Sequence, residues 1–149
     1  MTMKQNWLWA LWLLPLVAGC SSFNREWKQA VRQPIPADEI SGPWEGRWMS
    51  GSNGHHDRLR CVISAGQSNV YHAFFHANYK TIFHFSYTVP LQVRTNENGF
   101  AFSGEADLGK LKGGTYTYEG NATPTAFHST YHSKYDNGKF EMSRPAAEK

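Results

Sequence analysis

The span from Ser50 to Asp57 contains the groups of a hydrolytic site. Ser50 or Ser52 could act as a nucleophile, and His55, His56 and Asp57 follow a few residues later. A serine hydroxyl, an imidazole base and an orienting carboxylate are the three groups of a catalytic triad. The same span is rich in Ser, Asn and Gly, which is typical of a turn. We therefore interpret it as a loop and treat the triad as the less favoured interpretation.

The other five histidines lie in segments that resemble β-strands. His72 and His76 share one strand face, His128 and His132 share another, and His84 falls in the same outward phase. Side chains four residues apart on a strand are about 13 Å apart, at about 3.3 Å per residue, so neither pair can chelate one metal ion. A surface site would need histidines from neighbouring strands. The sequence predicts no metal ion and no cofactor.

The chain contains two cysteines, Cys20 and Cys61. Leu59, Cys61 and Ile63 alternate with arginines at positions 58 and 60, which places Cys61 on the apolar face of a strand. A buried cysteine behaves as a small apolar side chain. Cys20 lies in a different context, described next, so no disulfide bond is predicted.

Residues 1–19 have the layout of a secretory signal. Lys4 is the only charged residue before an uninterrupted apolar run from Trp7 to Gly19, which ends in small residues. A basic start, an apolar run of this length and a small-residue end are typical of a cleaved signal peptide. An uncleaved anchor is the alternative, but spanning a bilayer needs about 20 apolar residues.

The end of this run, Val17-Ala18-Gly19-Cys20, resembles the lipobox of bacterial lipoproteins. The resemblance implies cleavage between Gly19 and Cys20 and attachment of lipid to the Cys20 thiol. Two or more acyl chains give stable membrane anchoring. Ser21 stands where lipoproteins retained in the inner membrane often carry Asp, so the resemblance implies an outer-membrane lipoprotein that faces the periplasm or the outside.

The amino-acid composition narrows both the class of partner and the class of fold. The chain has 15 basic and 12 acidic residues, a net charge of +3, and no basic stripe of the kind that nucleic-acid binding requires. No nucleic-acid partner is therefore predicted. Aromatic residues make up 15% of the chain and glycine occurs 13 times. Aromatic residues and glycines in alternation favour strands and tight turns.

Residues 20–41 are predicted to be a lipidated tether with a short amphipathic helix. Phe23, Trp27, Ala30 and Val31 fall on one helical face. This face could lie on the bilayer or on the following domain. Residues 42–144 are predicted to form that domain, and residues 145–149 a disordered tail.

From Gly42 onward the apolar period is two. Eight strands are predicted, at residues 43–50, 58–64, 70–79, 82–94, 100–108, 115–122, 126–133 and 139–144. Short turns join them at a spacing of roughly ten residues, which favours a meandering barrel or a sandwich. We favour a closed, all-β, eight-stranded antiparallel barrel, because closure removes exposed strand edges.

The start and end of this domain resemble the calycin pattern of lipocalins and related barrels. Gly42-Pro43-Trp44 opens the first strand and Arg144 ends the last. The resemblance implies that Arg144 packs over Trp44 and closes one end of the barrel.

Two interpretations of the barrel interior remain open. In one, the barrel is a cup for a small apolar molecule, with Trp48, Tyr87, Tyr118, Tyr131 and Arg144 as ligand-binding residues. In the other, the many aromatic side chains on the inner face fill the interior. Eight-stranded barrels are compatible with either outcome.

The function predicted from the sequence is that of a membrane-anchored lipoprotein of the cell envelope. It is predicted to be a binding or structural module rather than an enzyme, with a small apolar ligand as one partner. An alternative is a protein-binding module, because small periplasmic lipoprotein barrels inhibit enzymes such as lysozyme by inserting a loop. Here the loops Gly51 to Asp57 and Asp107 to Gly114 could do so.

Overall fold

A computed structural model of the chain describes residues 18–146. Most of the predicted signal peptide, the side chain of Cys20 and the last three residues of the predicted tail lie outside the described residues. Within the described range, no helix is long and apolar enough to cross a membrane. The elements are α1 (Ala18–Ala30), β1 (Gly42–Ser50), β2 (His56–Ala65), β3 (Val70–Tyr79), β4 (Phe83–Asn96), β5 (Gly99–Asp107), a short 3-10 helix (Lys110–Lys112), β6 (Thr115–Ala122), β7 (Ala126–His132) and β8 (Asn137–Ser143).

The eight strands form a closed barrel in which each strand pairs antiparallel with the next and β1 pairs with β8. The predicted eight-stranded antiparallel meander is therefore confirmed. Side chains alternate between the interior and the surface as the period of two requires. In β2, for example, Leu59, Cys61 and Ile63 are buried while Arg58 is exposed. The 3-10 turn was not predicted, because three residues are too few to show a helical period.

The two ends of the barrel differ. The turns at 51–55, 80–82, 108–114 and 133–136 lie at one end, which we call the mouth. The turns at 66–69, 97–98 and 123–125 lie at the other end, the base, where residues 36–41 also enter β1. This assignment follows from the antiparallel order of the strands, because successive hairpins turn at alternate ends.

The base is filled and sealed. Trp44 and Phe127 are fully buried, with ring centroids 5.7 Å apart, and Phe102 stacks on Phe127 at 4.7 Å. Ile40, from the chain that enters β1, is also fully buried and accepts a hydrogen bond from Trp44 Nε1 at 2.9 Å. The interpretation of a filled interior therefore describes this half of the barrel.

The strands part on one side towards the mouth. β4 pairs with β3 along Phe83 to Gln92, but it pairs with β5 only from Leu91 onward. Pro90 lies where this second pairing begins, and proline has no N–H to donate to a ladder. Gly104 sits at the junction, where a Cβ would meet the Pro90 carbonyl and the Leu91 side chain. The result is a gap between the first half of β4 and the end of β5 with the turn that follows it.

Helix α1 packs on the outer wall of the barrel and is not a free tether. Phe23 is fully buried, with its ring 4.8 Å from that of His76 and 5.2 Å from that of Phe74. The Arg60 guanidinium lies 5.1 Å from the Phe23 ring and 5.3 Å from the Trp27 ring. The amphipathic face predicted in this segment therefore lies on the domain, and the packing unit extends to residues before the predicted boundary at Gly42.

Candidate functional site

A cavity of about 500 Å³ opens at the mouth of the barrel. Four of the five side chains predicted to bind a ligand line it, namely Trp48, Tyr87, Tyr118 and Tyr131. The rest of its wall, which the sequence did not single out, consists of Ala77, Tyr79, Phe83, Phe85, Leu108, Leu111, Lys112, Tyr116, Asp136 and Phe140. The barrel is thus a cup at the mouth and a packed core at the base.

Arg144 is separated from the other four predicted ligand-binding residues. Its guanidinium lies at the base, 3.8 Å from the centre of the Trp44 ring, which is the contact implied by the resemblance to calycin barrels. It donates hydrogen bonds to the backbone carbonyls of Glu39, Ser41, Pro43 and Pro124 at 2.9–3.2 Å. Burial lowers its pKa to about 10, so it remains charged at neutral pH. Arg144 therefore closes the base and does not contribute to the cavity.

Trp48 forms one side of the cavity and is fixed by its neighbours. Its Nε1 donates to the Asn78 carbonyl at 2.9 Å, and its ring stacks on Tyr79 with centroids 6.1 Å apart. The His55 ring packs against both, 5.3 Å from Trp48 and 4.8 Å from Tyr79. The Nε2 atom of His55 is buried and has no hydrogen-bond partner among the described residues.

Two tyrosines form the deep wall of the cavity. Tyr87 and Tyr118 both stack on Phe75, with centroid distances of 5.4 and 6.3 Å, and their hydroxyls are hydrogen-bonded to each other. Burial raises the pKa of both hydroxyls well above the ordinary value. Both tyrosines are therefore neutral at physiological pH and keep their protons for hydrogen bonding.

Asp136 connects two turns of the mouth. It accepts hydrogen bonds from the hydroxyls of Ser50 and Ser52, each at 2.7 Å, and from the Tyr131 hydroxyl at 2.9 Å. Burial acts to raise the pKa of this carboxyl, but the hydrogen bonds outweigh it and the pKa is lowered. The backbone N–H of Asn137 is a further donor. The carboxylate is ionised and largely satisfied within the protein, so it offers little to a cationic ligand.

The triad considered for residues 50–57 is not assembled. Ser50 and Ser52 bind Asp136 instead of a histidine, and the His56 Nδ1 atom lies 3.3 Å from the Gly54 carbonyl. Asp57 accepts from the backbone N–H groups of Arg58 and Thr81. No serine, histidine and carboxylate of this span meet in a proton-transfer chain.

The strand histidines lie outside the barrel, as their phase predicted, but His76 is not in solvent. It is buried beneath Phe23, its Nδ1 lies 2.8 Å from the Ser86 hydroxyl, and its ring stacks on His84 at 5.7 Å. Burial, followed by the charges of Arg60, His84 and Arg58, lowers the pKa of His76 to about 4. Among residues 18–146, no three His, Cys, Asp or Glu side chains are placed to hold a metal ion.

The arrangement is suited to binding a small molecule. The cavity presents aromatic faces and a few neutral hydroxyls, and its one lining carboxylate is engaged by Ser50, Ser52 and Tyr131. Apolar walls with a small number of placed polar groups are typical of small-molecule sites. Comparisons of this chain with protein-family models, with curated proteins and with solved structures found no match.

Proposed function

We propose that this protein is a non-enzymatic binding module of the bacterial cell envelope, which holds one small, mainly apolar molecule in the mouth cavity. The observation that carries the proposal is the cavity itself. Its volume of about 500 Å³ is within the usual range for a small-ligand site, roughly 300–1,000 Å³. Its position at the open end of an otherwise packed barrel gives a molecule a direct way in.

The polar groups of the cavity limit the chemistry of the ligand. Tyr87 and Tyr118 share one hydrogen bond, and Asp136 is held by Ser50, Ser52 and Tyr131, so the deep wall has few free polar groups and no free charge. The deep part of the site therefore favours an uncharged, apolar body. Lys112, near the opening, supplies the cationic group of the lining. The proposed ligand is an apolar molecule whose polar end, neutral or anionic, faces the mouth.

A pair of matched substitutions tests this site. Ala77 lines the cavity, so Ala77→Phe fills part of it, whereas Ala101→Phe makes the same change on the outer face of β5. The probes are dodecanoate and the fluorescent dye anilinonaphthalene sulfonate, both apolar with an anionic end. We expect the wild type and A101F to bind them and A77F to bind at least about tenfold more weakly.

The protein for this experiment is the chain from Ser21 to Lys149, which retains all eight strands and the docked side chains Phe23 and Trp27. Native mass spectrometry of the same protein, kept free of detergent, should show a discrete added mass that mild activation removes. Equal probe binding by A77F and A101F, together with a bare polypeptide mass, would contradict the proposal. The search would then move to protein partners of the loops Gly51 to Asp57 and Asp107 to Gly114.

We further propose that the protein is anchored to the outer membrane through lipid on Cys20. The proposal is supported by the spacing of Val17-Ala18-Gly19-Cys20 after an apolar run. Cys20→Ala should abolish incorporation of labelled palmitate and remove the mature-sized chain from the membrane fraction. Cys61→Ala is the matched control and should keep both. A C20A variant that remains membrane-bound and mature-sized would contradict the anchor.

A further inference from the structure

We propose that the mouth of the barrel docks on the surface of an anionic lipid bilayer. The inference concerns the rim of the mouth, which we define as residues 80–83, 110–112, 134 and 135. It depends on the exposed side chains of these residues. It requires neither lipid on Cys20 nor a ligand in the cavity.

Exposed apolar side chains are concentrated on this rim. Five large apolar side chains are exposed in the described part of the chain, and all but Ile35 belong to the rim. Ile82 is 74% exposed, Phe83 57% and Tyr135 70%, while Leu111 is fully exposed. They come from three separate turns, so the barrel fold brings them together at one end. Clustered exposed apolar side chains indicate an interaction surface.

Lysines are interleaved with these apolar side chains. Lys80 precedes Ile82, Lys110 and Lys112 flank Leu111, and Lys134 precedes Tyr135. None of the four lysines forms an ion pair with a described residue. Their positive charges are therefore available to a partner.

The nearby carboxylates form no ion pair with the rim lysines. Asp57 accepts backbone hydrogen bonds from Arg58 and Thr81, and Asp107 accepts one from Gly109 at 2.8 Å. Asp136 is occupied by its hydroxyl donors. Each carboxylate is directed to backbone N–H or hydroxyl groups of the mouth and none to a rim lysine, so the outward surface of the rim combines apolar tips with positive charge.

The turn that presents Ile82 and Phe83 is strained. Lys80 and Thr81 have φ angles of 51° and 64°, in the left-handed region that β-branched residues such as Thr rarely occupy. Backbone strain of this kind persists where the surrounding structure imposes it, and it is concentrated at functional sites. Here the strained turn holds two apolar side chains out of the barrel.

A bilayer suits this rim better than a second copy of the chain. Two mouths placed face to face would bring two sets of lysines together, and like charges repel. An anionic bilayer offers an apolar interior for the side-chain tips and negative headgroups for the lysines. Each lysine near such a surface strengthens the binding constant by about fivefold. The rim is also continuous with the cavity, because Phe83, Leu111 and Lys112 belong to both. An apolar molecule could then pass between bilayer and cavity without crossing water.

The position of helix α1 is compatible with a mouth that faces the membrane. Phe23 packs on His76, which lies three residues before β3 ends at the mouth, a distance of about 10 Å along the strand. Cys20 precedes Phe23 by three residues in the same helix, about 4.5 Å along its axis. A lipid at Cys20 would therefore hold the mouth close to the membrane that the rim contacts.

Co-sedimentation with lipid vesicles tests the inference on the chain from Ser21 to Lys149, which has no anchor. Vesicles of phosphatidylethanolamine with phosphatidylglycerol supply the anionic surface, and vesicles of phosphatidylcholine supply a neutral one. We expect binding to the anionic vesicles, much weaker binding to the neutral ones, and loss of the difference at about 1 M salt, where the Debye length is about 3 Å.

Matched variants assign the binding to the rim. Lys110→Glu and Lys134→Glu should each weaken binding to anionic vesicles by at least about fivefold, while Arg94→Glu, an exposed charge near the base end of β4, should not. Leu111→Ser and Ile82→Ser should also weaken binding, while Ile35→Ser, an exposed apolar residue outside the rim, should not.

The outcomes separate this inference from its competitors and from the proposed ligand site. Absence of wild-type binding to anionic vesicles, or equal losses in the rim variants and their controls, would overturn it. A dimer in sedimentation velocity that L111S dissociates would assign the rim to a second copy instead. The filled-cavity variant A77F should still bind vesicles, because its rim is unchanged, so the ligand proposal can fail without affecting this one.

Discussion

The guanidinium of Arg144 lies 3.8 Å from the centre of the Trp44 ring, and together the two side chains close the base of the barrel. Trp44 is fully buried and Arg144 covers it from the side of solvent, while its N–H groups bind backbone carbonyls of the chain that enters β1. The contact joins the first strand to the segment after the last strand, so it stabilises the closure of the barrel.

Arg144→Ala should therefore lower the free energy of unfolding by about 3 kcal/mol. The loss combines a cation–π contact, worth about 0.5–2 kcal/mol, with carbonyls left without donors. Arg144→Lys should be intermediate, because an ammonium keeps the charge but not the planar set of donors. Urea unfolding measures the stability of both variants, and Arg94→Ala, at an exposed position, is the control. An R144A midpoint equal to that of R94A would show that the base does not depend on this contact.

Asp136→Asn should destabilise the mouth by about 2 kcal/mol, because hydrogen bonds to a charged group are worth about 1.5–3 kcal/mol and three hydroxyls lose their ionised acceptor. The folded pKa of Asp136 is lower than its unfolded value of 3.8, so this stability is present above pH 3.8 and is lost as the pH falls through the folded pKa. The difference in free energy of unfolding between wild type and D136N should therefore shrink as the pH falls below 3.8. The exposed Asp38→Asn is the control, and a difference independent of pH would argue against the ionised carboxylate.

His76 should make the docking of α1 sensitive to pH. Its folded pKa of about 4 lies below the unfolded value of 6.5. A histidine whose pKa is depressed on folding contributes fully above pH 6.5, and stability decreases as the pH falls from 6.5 towards 4, because the unfolded state takes up the proton first. Urea unfolding between pH 6.5 and pH 4 should show a smaller loss of stability for His76→Gln than for the wild type. His72→Gln, on the exposed face of the same strand, should behave like the wild type, and identical slopes in all three proteins would refute this role.

Cys61 should be unreactive in the folded protein. It is fully buried, and burial raises the pKa of its thiol well above the ordinary value, so almost no thiolate forms. In the chain from Ser21 onward, where Cys61 is the remaining cysteine, a disulfide reagent should react at the rate of unfolding and rapidly in urea. Rapid reaction under native conditions would mean that β2 opens locally.

The alternation of apolar residues was sufficient to predict the strands and the faces they present. Val70–Tyr79 and Thr115–Ala122 have the predicted bounds, and the remaining strands shift by a few residues at their ends. Phase within a strand depends on local sequence alone, so it also placed Trp48, Tyr87, Tyr118 and Tyr131 on the inner face.

Positions along the barrel axis were harder to predict. The phase of Arg144 matched that of the cavity residues, but phase does not distinguish the mouth from the base. Asp136 had no evident partner in the sequence, because Ser50 lies 86 residues away and meets it only when β8 pairs with β1. The gap between β4 and β5 likewise depends on pairing register, and Pro90, which has no N–H for a ladder, is a local feature that accompanies it.

The docking site of α1 also depended on non-local structure. The apolar face with Phe23 and Trp27 was clear, but bilayer and barrel were equally plausible surfaces for it. The helix packs on the barrel because Phe74, His76 and Arg60 contact Phe23 there. These three residues lie together on the outer wall only after β2 and β3 pair.

β4 separates from β5 at Leu91, and this separation divides the barrel into two ends. Substitutions at the two ends are expected to lower stability by very different amounts. Below the separation, every strand is paired on both sides and the interior is packed with large rings, so a substitution there disturbs several neighbours at once. Above it, the rim side chains are exposed, and their exchange alters shape and charge with little loss of packing. Among homologous chains, sequence variation is therefore expected to concentrate around the mouth, with the base kept constant, so that one scaffold can acquire new binding preferences.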